Sequence, residues 1–281
     1  MSETRKAIYL DLCASFFFCL MGFLSQSVAR IPVFQKTLVR SIVTFTILAV
    51  SATVRKEKVV IEKRNLPLYL TRSIFGIVGI ICYLYSADHL VFSDASMIQK
   101  LAPFFSITIS LFLLKEKASA NQWALVAIAM TGLVFVVKPT GALGVGIAET
   151  VAVIGAVGSG AAYVLVRKLG INGASPTSIV LFFSGFTVIA CIPIIISSYV
   201  RMTAAELILL IGMGVCGGTA QILITIAYGK APAKEISIVE YSEIVFAALL
   251  GFIFDHELAD KTSMIGYLII FAAALLRIKT S

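Results

Sequence analysis

The sequence predicts an all-α integral membrane protein whose ten transmembrane helices form two inverted five-helix repeats, and three observations lead there. Apolar residues make up 59% of the 281 positions and charged residues only 14%, a balance foreign to ordinary soluble domains. Ten apolar runs follow one another along the chain, each of roughly 17–24 residues and able to cross a ~30 Å hydrocarbon core at ~1.5 Å per residue. The stretch Ala102–Glu116, an apolar run ending in Lys-Glu, resembles Glu243–Glu257, which ends in His-Glu, and the offset is 141 residues. That duplication divides the chain into units 1–140 and 141–281.

The runs are taken in order. Residues 7–27 follow a basic start and have no small-residue cleavage site, so they read as a retained signal-anchor span. Residues 33–53 and 66–87 are the second and third spans, and 91–113 is the fourth, with Pro103 expected to bend it or to free backbone carbonyls inside the protein. The fifth, 121–138, opens on Ser119-Ala-Asn-Gln122, a capping box, with Trp123 placed to anchor at an interface. Residues 144–165, 176–198, 205–228, 235–254 and 262–278 complete the second unit. Helices are preferred to a barrel because the runs are continuously apolar, without the alternation of lipid-facing strands. The loops left over are mostly short, which leaves no room for a soluble domain between spans.

The net charge of +8 follows topology and does not signal nucleic acid. With loops assigned alternately, Arg5, Lys6, Arg55, Lys56, Lys58, Lys63, Arg64, Lys115, Lys117, Arg167, Lys168, Lys230, Lys234, Arg277 and Lys279 share one side, and only Arg30, Lys138, Arg201 and Lys261 fall on the other. The positive-inside rule then puts both termini in the cytoplasm of a multi-pass protein of the bacterial inner membrane. Five spans per unit is an odd number, so the second unit enters from the opposite side. The paired loops agree: Lys115 and Lys117 flank the first, whereas Asp255, Glu257 and Asp260 mark its counterpart.

Several marks together resemble the EamA-type carriers of the drug/metabolite transporter superfamily. They are Arg40 in the second span, Ala102-Pro103 ahead of a bulky run ending in Lys115-Glu116, Glu243-Ile-Val-Phe-Ala-Ala-Leu-Leu-Gly251, and Gly160-Ala-Ala-Tyr-Val-Leu-Val-Arg-Lys168. The resemblance covers essentially the whole chain. It implies a secondary transporter in which eight spans surround a central cavity while the fifth and tenth pack at the periphery or mediate association. The family usually has Gly-Glu where this chain has Lys115-Glu116 and His256-Glu257, and Glu-Pro where it has Glu243-Ile244. Ile244 keeps its backbone N–H, so span nine is expected to continue as a regular helix at this point.

Ionisable groups at membrane depth cost at least ~2.5 kcal/mol each on insertion scales, which makes them functional candidates unless they reach an interface. Lys36 and Arg72 lie near span ends, where snorkelling and a cavity role are equally open. Arg40 is one turn deeper than Lys36 on the same face. Lys100 is about 14 Å from the outer end of its span by helical rise. Glu240 and Glu243 share a face of span nine and are the acidic candidates, also for proton coupling. Under the 141-residue offset Lys100 aligns with Tyr241 and Ala102 with Glu243, so opposite charges sit at inversion-related depths. They suit either a substrate site or a buried ion pair tying span four to span nine. Tyr83, Tyr241, Gln99 and Gln221 are deep polar side chains suited to recognition or to helix contacts. The candidate substrate site is therefore Arg40, Tyr83, Gln99, Lys100, Gln221, Glu240, Tyr241 and Glu243. Asp11 and Glu149 each lie about one turn into a span, where headgroup water is within reach.

Other chemistry finds little support. Gly212-Met-Gly-Val-Cys-Gly217 matches a dinucleotide-binding pattern, but it lies inside an apolar span and overlaps Gly214-x-x-x-Gly218, a spacing for close helix contact. Gly155, Gly158 and Gly160 read the same way. The five cysteines lie within spans as small packing residues, and His89 and His256 have no ligand-spaced neighbours, so no metal, cofactor or catalytic residue is expected. A lipid-modifying enzyme built on Asp88, His89 and Asp94 is the cross-class alternative. The mixed signs of the deep charges favour a carrier over a channel with a ring of one sign. The expected function is alternating-access transport of a small polar or zwitterionic metabolite, amino acids or related amines first, with protons as candidate coupling ions. Export of amphipathic drugs or nucleoside derivatives is the alternative. The expected partners are the substrate and the lipid bilayer, the protein acting as a monomer or homodimer.

Overall fold

A computed structural model describes residues 2–90, 98–116, 119–137, 146–250, 253 and 261–280. The described chain is helical: α1 (Glu3–Gln26), α2 (Val33–Val54), α3 (Leu66–His89), α4 (Ala102–Leu113), α5 (Ala120–Val137), α6 (Ile147–Ile171), α7 (Pro176–Ser198), α8 (Ala204–Lys230), α9 (Ala233–Ile236), α10 (Ser242–Leu250) and α11 (Lys261–Thr280). Short 3-10 turns cover Lys63–Asn65 and Val239–Tyr241. Among the described residues six helices, α1, α2, α3, α6, α7 and α8, are long and apolar enough to cross a membrane. Outward faces are apolar as a lipid-facing surface requires: Ile189 and Ile196 of α7 are 71% and 80% exposed, and Phe112 of the shorter apolar helix α4 is 82% exposed. The loop carrying Asp255, His256, Glu257 and Asp260 lies outside the described residues, as do Asp94, Lys117 and Lys138, and the Asp88 side chain is likewise undescribed.

Local chemistry sets the helix ends. Thr203 and Glu206 form a capping box that opens α8, and the Ser2 hydroxyl accepts from the Arg5 N–H at the start of α1. The box expected ahead of α5 is present: the Ser119 N–H donates to Gln122 Oε1 at 2.8 Å, and the Gln122 N–H to Ser119 Oγ at 3.3 Å. Trp123 packs edge-on against Phe104, with centroids 5.7 Å apart. Pro103 occupies the first turn of α4, where a missing N–H costs no helix bond, and the chain turns at Lys100 and Leu101 before it.

Span nine departs from the expected regular helix. It is interrupted between α9 and α10 by a 3-10 turn, although Ile244 does continue α10. Tertiary polar contacts, not a missing N–H, accompany the break. The Ser237 hydroxyl donates back to the Ala233 carbonyl at 2.7 Å and lies 2.9 Å from Ser106 Oγ, while Glu240 accepts from Tyr228.

Packing runs mainly between the halves. α1 packs on α8 and α10, α3 on α6 and α7, α2 on α7 and α8, α4 on α6, and α5 on α11. Glycine permits the closest approaches. A Cβ on Gly158 would sit 3.0 Å from the Phe75 carbonyl, and one on Gly214 would sit 2.6 Å from Val43 Cβ. The small-residue runs of α6 and α8 therefore act as helix contacts, as their spacing indicates.

Candidate functional site

The buried polar side chains converge on one cavity of about 100 Å³ lined from eight helices of both halves. Arg40 comes from α2, Arg72 and Tyr83 from α3, Gln99 and Lys100 from the turn before α4, Tyr163 from α6, Gln221 from α8, and Glu240 and Glu243 from the α9–α10 break and the start of α10. Phe18, Ile80, Phe183 and Ile224 supply apolar wall.

The two helix interruptions meet here. Lys100 Nζ donates to Glu243 Oε2 at 2.5 Å and lies 3.4 Å from the Glu240 carbonyl oxygen. The side chains of Lys100 and Glu243 are 8% and 24% exposed. Seven of the eight residues anticipated from sequence thus line one cavity: Arg40, Tyr83, Gln99, Lys100, Gln221, Glu240 and Glu243. Tyr241 does not join them. Being directly in the 3-10 turn, it points the other way, into a cluster with Ile107, Val126, Ile244 and Ile270.

Each polar side chain is held by its surroundings. The Tyr228 hydroxyl donates to Glu240 Oε1 at 2.6 Å, and its ring stacks on Tyr163 with centroids 5.0 Å apart. Gln99 Nε2 donates to Ser159 Oγ at 3.1 Å, and Gln221 Nε2 to Thr225 Oγ1 at 3.4 Å. Arg40 Nε donates to Met21 Sδ at 3.2 Å, and its Nη2 approaches the Gly217 carbonyl at 3.5 Å. A Cβ on Gly217 would sit 2.5 Å from Arg40 Nε, so a glycine one helix away makes room for the guanidinium.

Two ionisable groups that the sequence leaves outside the candidate site are buried within the protein. Arg72, which was as ready to snorkel as to face a cavity, is 1% exposed within the protein and covers the Phe183 ring at 3.8 Å. Gly76, one turn further along α3, was the available signal, because a small residue there leaves space for a long neighbour. Asp11 does not face headgroup water: it is fully buried, and neither carboxylate oxygen has a hydrogen-bond partner among the described residues. Its position four residues before cavity-lining Ser15 marks the same face of α1. Lys36 is also buried, at 1% exposure.

Contacts between the halves tie the bundle together at both ends. Arg30 makes a two-pronged pair with Glu206, at 2.8 and 2.7 Å from its Nη2, and these bonds raise the guanidinium pKa above its ordinary value. Gln35 exchanges two bonds with the Val200 backbone at 2.8 and 3.0 Å. At the other end Arg167 bonds Glu116 at 3.1 Å and the Gly229 carbonyl at 3.0 Å. Lys230 pairs with Glu3 at 2.5 Å, and Gln122 donates to Glu235 at 3.0 Å.

Apolar spans around a cavity lined by charged side chains define a multi-pass membrane protein of the transporter class. The sequence model of the EamA-like transporter family matches residues 5–138 and again 146–278, and the chain belongs to that family. It is 27% identical over 273 residues to the pseudopaline exporter CntI of Pseudomonas aeruginosa strain UCBPP-PA14, covering 96% of this chain and 95% of that one. It is 24% identical over 208 residues to the S-adenosylmethionine uptake transporter of Rickettsia bellii, covering 74% and 71%. A solved crystal structure overlays 98% of both chains with a TM-score of 0.84 at 16% identity, a likeness of fold.

Proposed function

We propose that this protein is a secondary transporter of a small zwitterionic metabolite, amino acids and related amines first, working by alternating access between two inverted five-span units, 1–140 and 141–281. The observation that carries the reading is the Lys100–Glu243 contact, which joins an interrupted helix of one unit to an interrupted helix of the other beside a polar cavity. Discontinuous helices meeting at a repeat interface are where transporters of this kind place their binding sites.

The packing pattern supports the two-fold relation. With α9 and α10 counted as one interrupted span, exchanging each span for the one five places along turns α1–α8 into α3–α6, α4–α6 into α1–α10, and α2–α8 into α3–α7. The α2–α7 and α5–α11 pairs map onto themselves. An inserted chain with this asymmetry of basic loops has both termini in the cytoplasm of a bacterial inner membrane. Glu240 and Glu243 are the proposed proton-coupling groups, since both are carboxyls at the cavity beside a lysine. The absence of a nucleotide-binding motif in the sequence supports coupling to a gradient.

Purified protein in proteoliposomes preloaded with unlabelled metabolite tests the reading by exchange against labelled metabolite outside. Pseudopaline and S-adenosylmethionine, named for relatives, join amino acids in the first trials. Saturable exchange is expected; leak-rate movement for every zwitterion tried overturns the proposal.

A further inference from the structure

The cavity holds two arginines with no carboxylate to neutralise them among the described residues. Arg40 bonds a thioether and a backbone carbonyl, at 3.2 and 3.5 Å. Arg72 covers Phe183, and its Nε and Nη1 atoms are buried without a hydrogen-bond partner. Both residues are at least nine-tenths buried, at 2% and 1% exposure, and both line the cavity. A desolvated guanidinium with unused donors is costly unless an anion completes it.

The surroundings keep these groups aimed inward. A Cβ on Gly76 would meet Arg72 Nη1 and Phe183 Cε2 at 2.8 Å, and one on Gly217 would meet Arg40 Nε at 2.5 Å. Two glycines thus leave the space that the guanidinium groups fill. Tyr163, Lys100, Glu240 and Glu243 line the same cavity as the two arginines, with Glu243 paired to Lys100. The cavity lining therefore carries two guanidinium groups without a carboxylate partner among the described residues, together with two carboxyl side chains.

We propose that Arg72 and Arg40 form a carboxylate-binding subsite, which takes the carboxylate of an amino acid whose ammonium group faces Glu240 and Glu243. The planar forks of two guanidiniums suit a carboxylate, which can accept from both. A multiply charged phosphate fits less well, because Glu240 and Glu243 line the same cavity and a phosphate brings no ammonium group to offset their repulsion. Arg72 is the specificity-determining member, since its Nε and Nη1 donors are buried without a partner among the described residues. This inference rests on the zwitterion-transport reading and assigns its anion end.

The test is calorimetric binding of leucine and leucinamide to the full-length protein in detergent. Leucinamide keeps the ammonium and the apolar side chain but lacks the carboxylate. Wild-type protein is expected to prefer leucine by roughly tenfold or more, the scale of a lost charged hydrogen bond. In Arg72→Gln the preference should collapse, with leucine weakened and leucinamide nearly unchanged; Arg72→Lys should recover part of it. A merely structural role would weaken both probes alike and leave their ratio intact, which would overturn the subsite. Equal wild-type affinity for both probes, or binding of neither, also overturns it. Exchange transport in proteoliposomes then separately decides whether the wider reading stands.

Discussion

Lys100 Nζ lies 2.5 Å from Glu243 Oε2, and this contact joins the turn before α4 to the first turn of α10. Neither helix runs through the cavity unbroken, so the charged side chains stand where backbone groups also leave the helical ladder. Such a buried pair can be neutral in net stability while each partner alone is costly.

Removing one partner is therefore expected to destabilise more than removing both. Lys100→Met or Glu243→Met should cost about 2–4 kcal/mol in denaturant titrations in detergent, discounted for the half-open Glu243 side, and the double variant should recover most of that loss. Additive losses would count against a coupled pair.

Backbone contact at Gly160 leads to a second expectation. A Cβ there would sit 2.8 Å from the Ala102 carbonyl and 2.9 Å from the Ser106 N–H, atoms that cannot swing aside as a side-chain end can. Gly160→Ala should cost about 1–3 kcal/mol through separation of α4 and α6. Ile189→Val on the outward face of α7, 71% exposed, should shift stability by no more than about 0.5 kcal/mol.

The Glu116–Arg167 pair has side chains only 16% exposed on both sides, and Arg167 also serves the Gly229 carbonyl. Arg167→Gln should therefore lower stability by about 1–3 kcal/mol, measured by thermal unfolding in detergent. An unchanged midpoint would mean that this end of the bundle is held by its other contacts.

Proton coupling has its own test. In Glu240→Gln the amide carbonyl still accepts from Tyr228, so the 2.6 Å contact has a replacement and the protein should remain folded. In Glu243→Gln the carbonyl still accepts from Lys100. Each variant should lose the dependence of uptake on an imposed pH gradient in proteoliposomes. Undiminished gradient-driven uptake in both would exclude these carboxyls as the coupling groups.

Sequence made the helices and much of the site legible because hydrocarbon imposes a long apolar run and makes a deep charge conspicuous. Arg40, Lys100, Glu240 and Glu243 stood out on those grounds. Arg72 and Asp11 did not, because distance along a span says how deep a residue lies but not whether protein or headgroup covers it; each is buried by a neighbouring helix. The break before α10 was hidden for a similar reason. No proline marks it, and the polar contacts of Ser237 and Glu240 come from other helices, Ser106 far away in sequence and Tyr228 on the preceding helix. Tyr241 was misplaced in consequence, since a regular helix and a 3-10 turn aim the same residue differently.

The most direct test of a substrate site between the helix breaks is zwitterion exchange in proteoliposomes, compared between wild type and the Lys100→Met/Glu243→Met double variant. Wild type should exchange saturably, and the double variant should be folded yet reduced to the leak rate. Wild-type exchange kinetics in a folded double variant would show that the pair serves packing alone and would contradict the site.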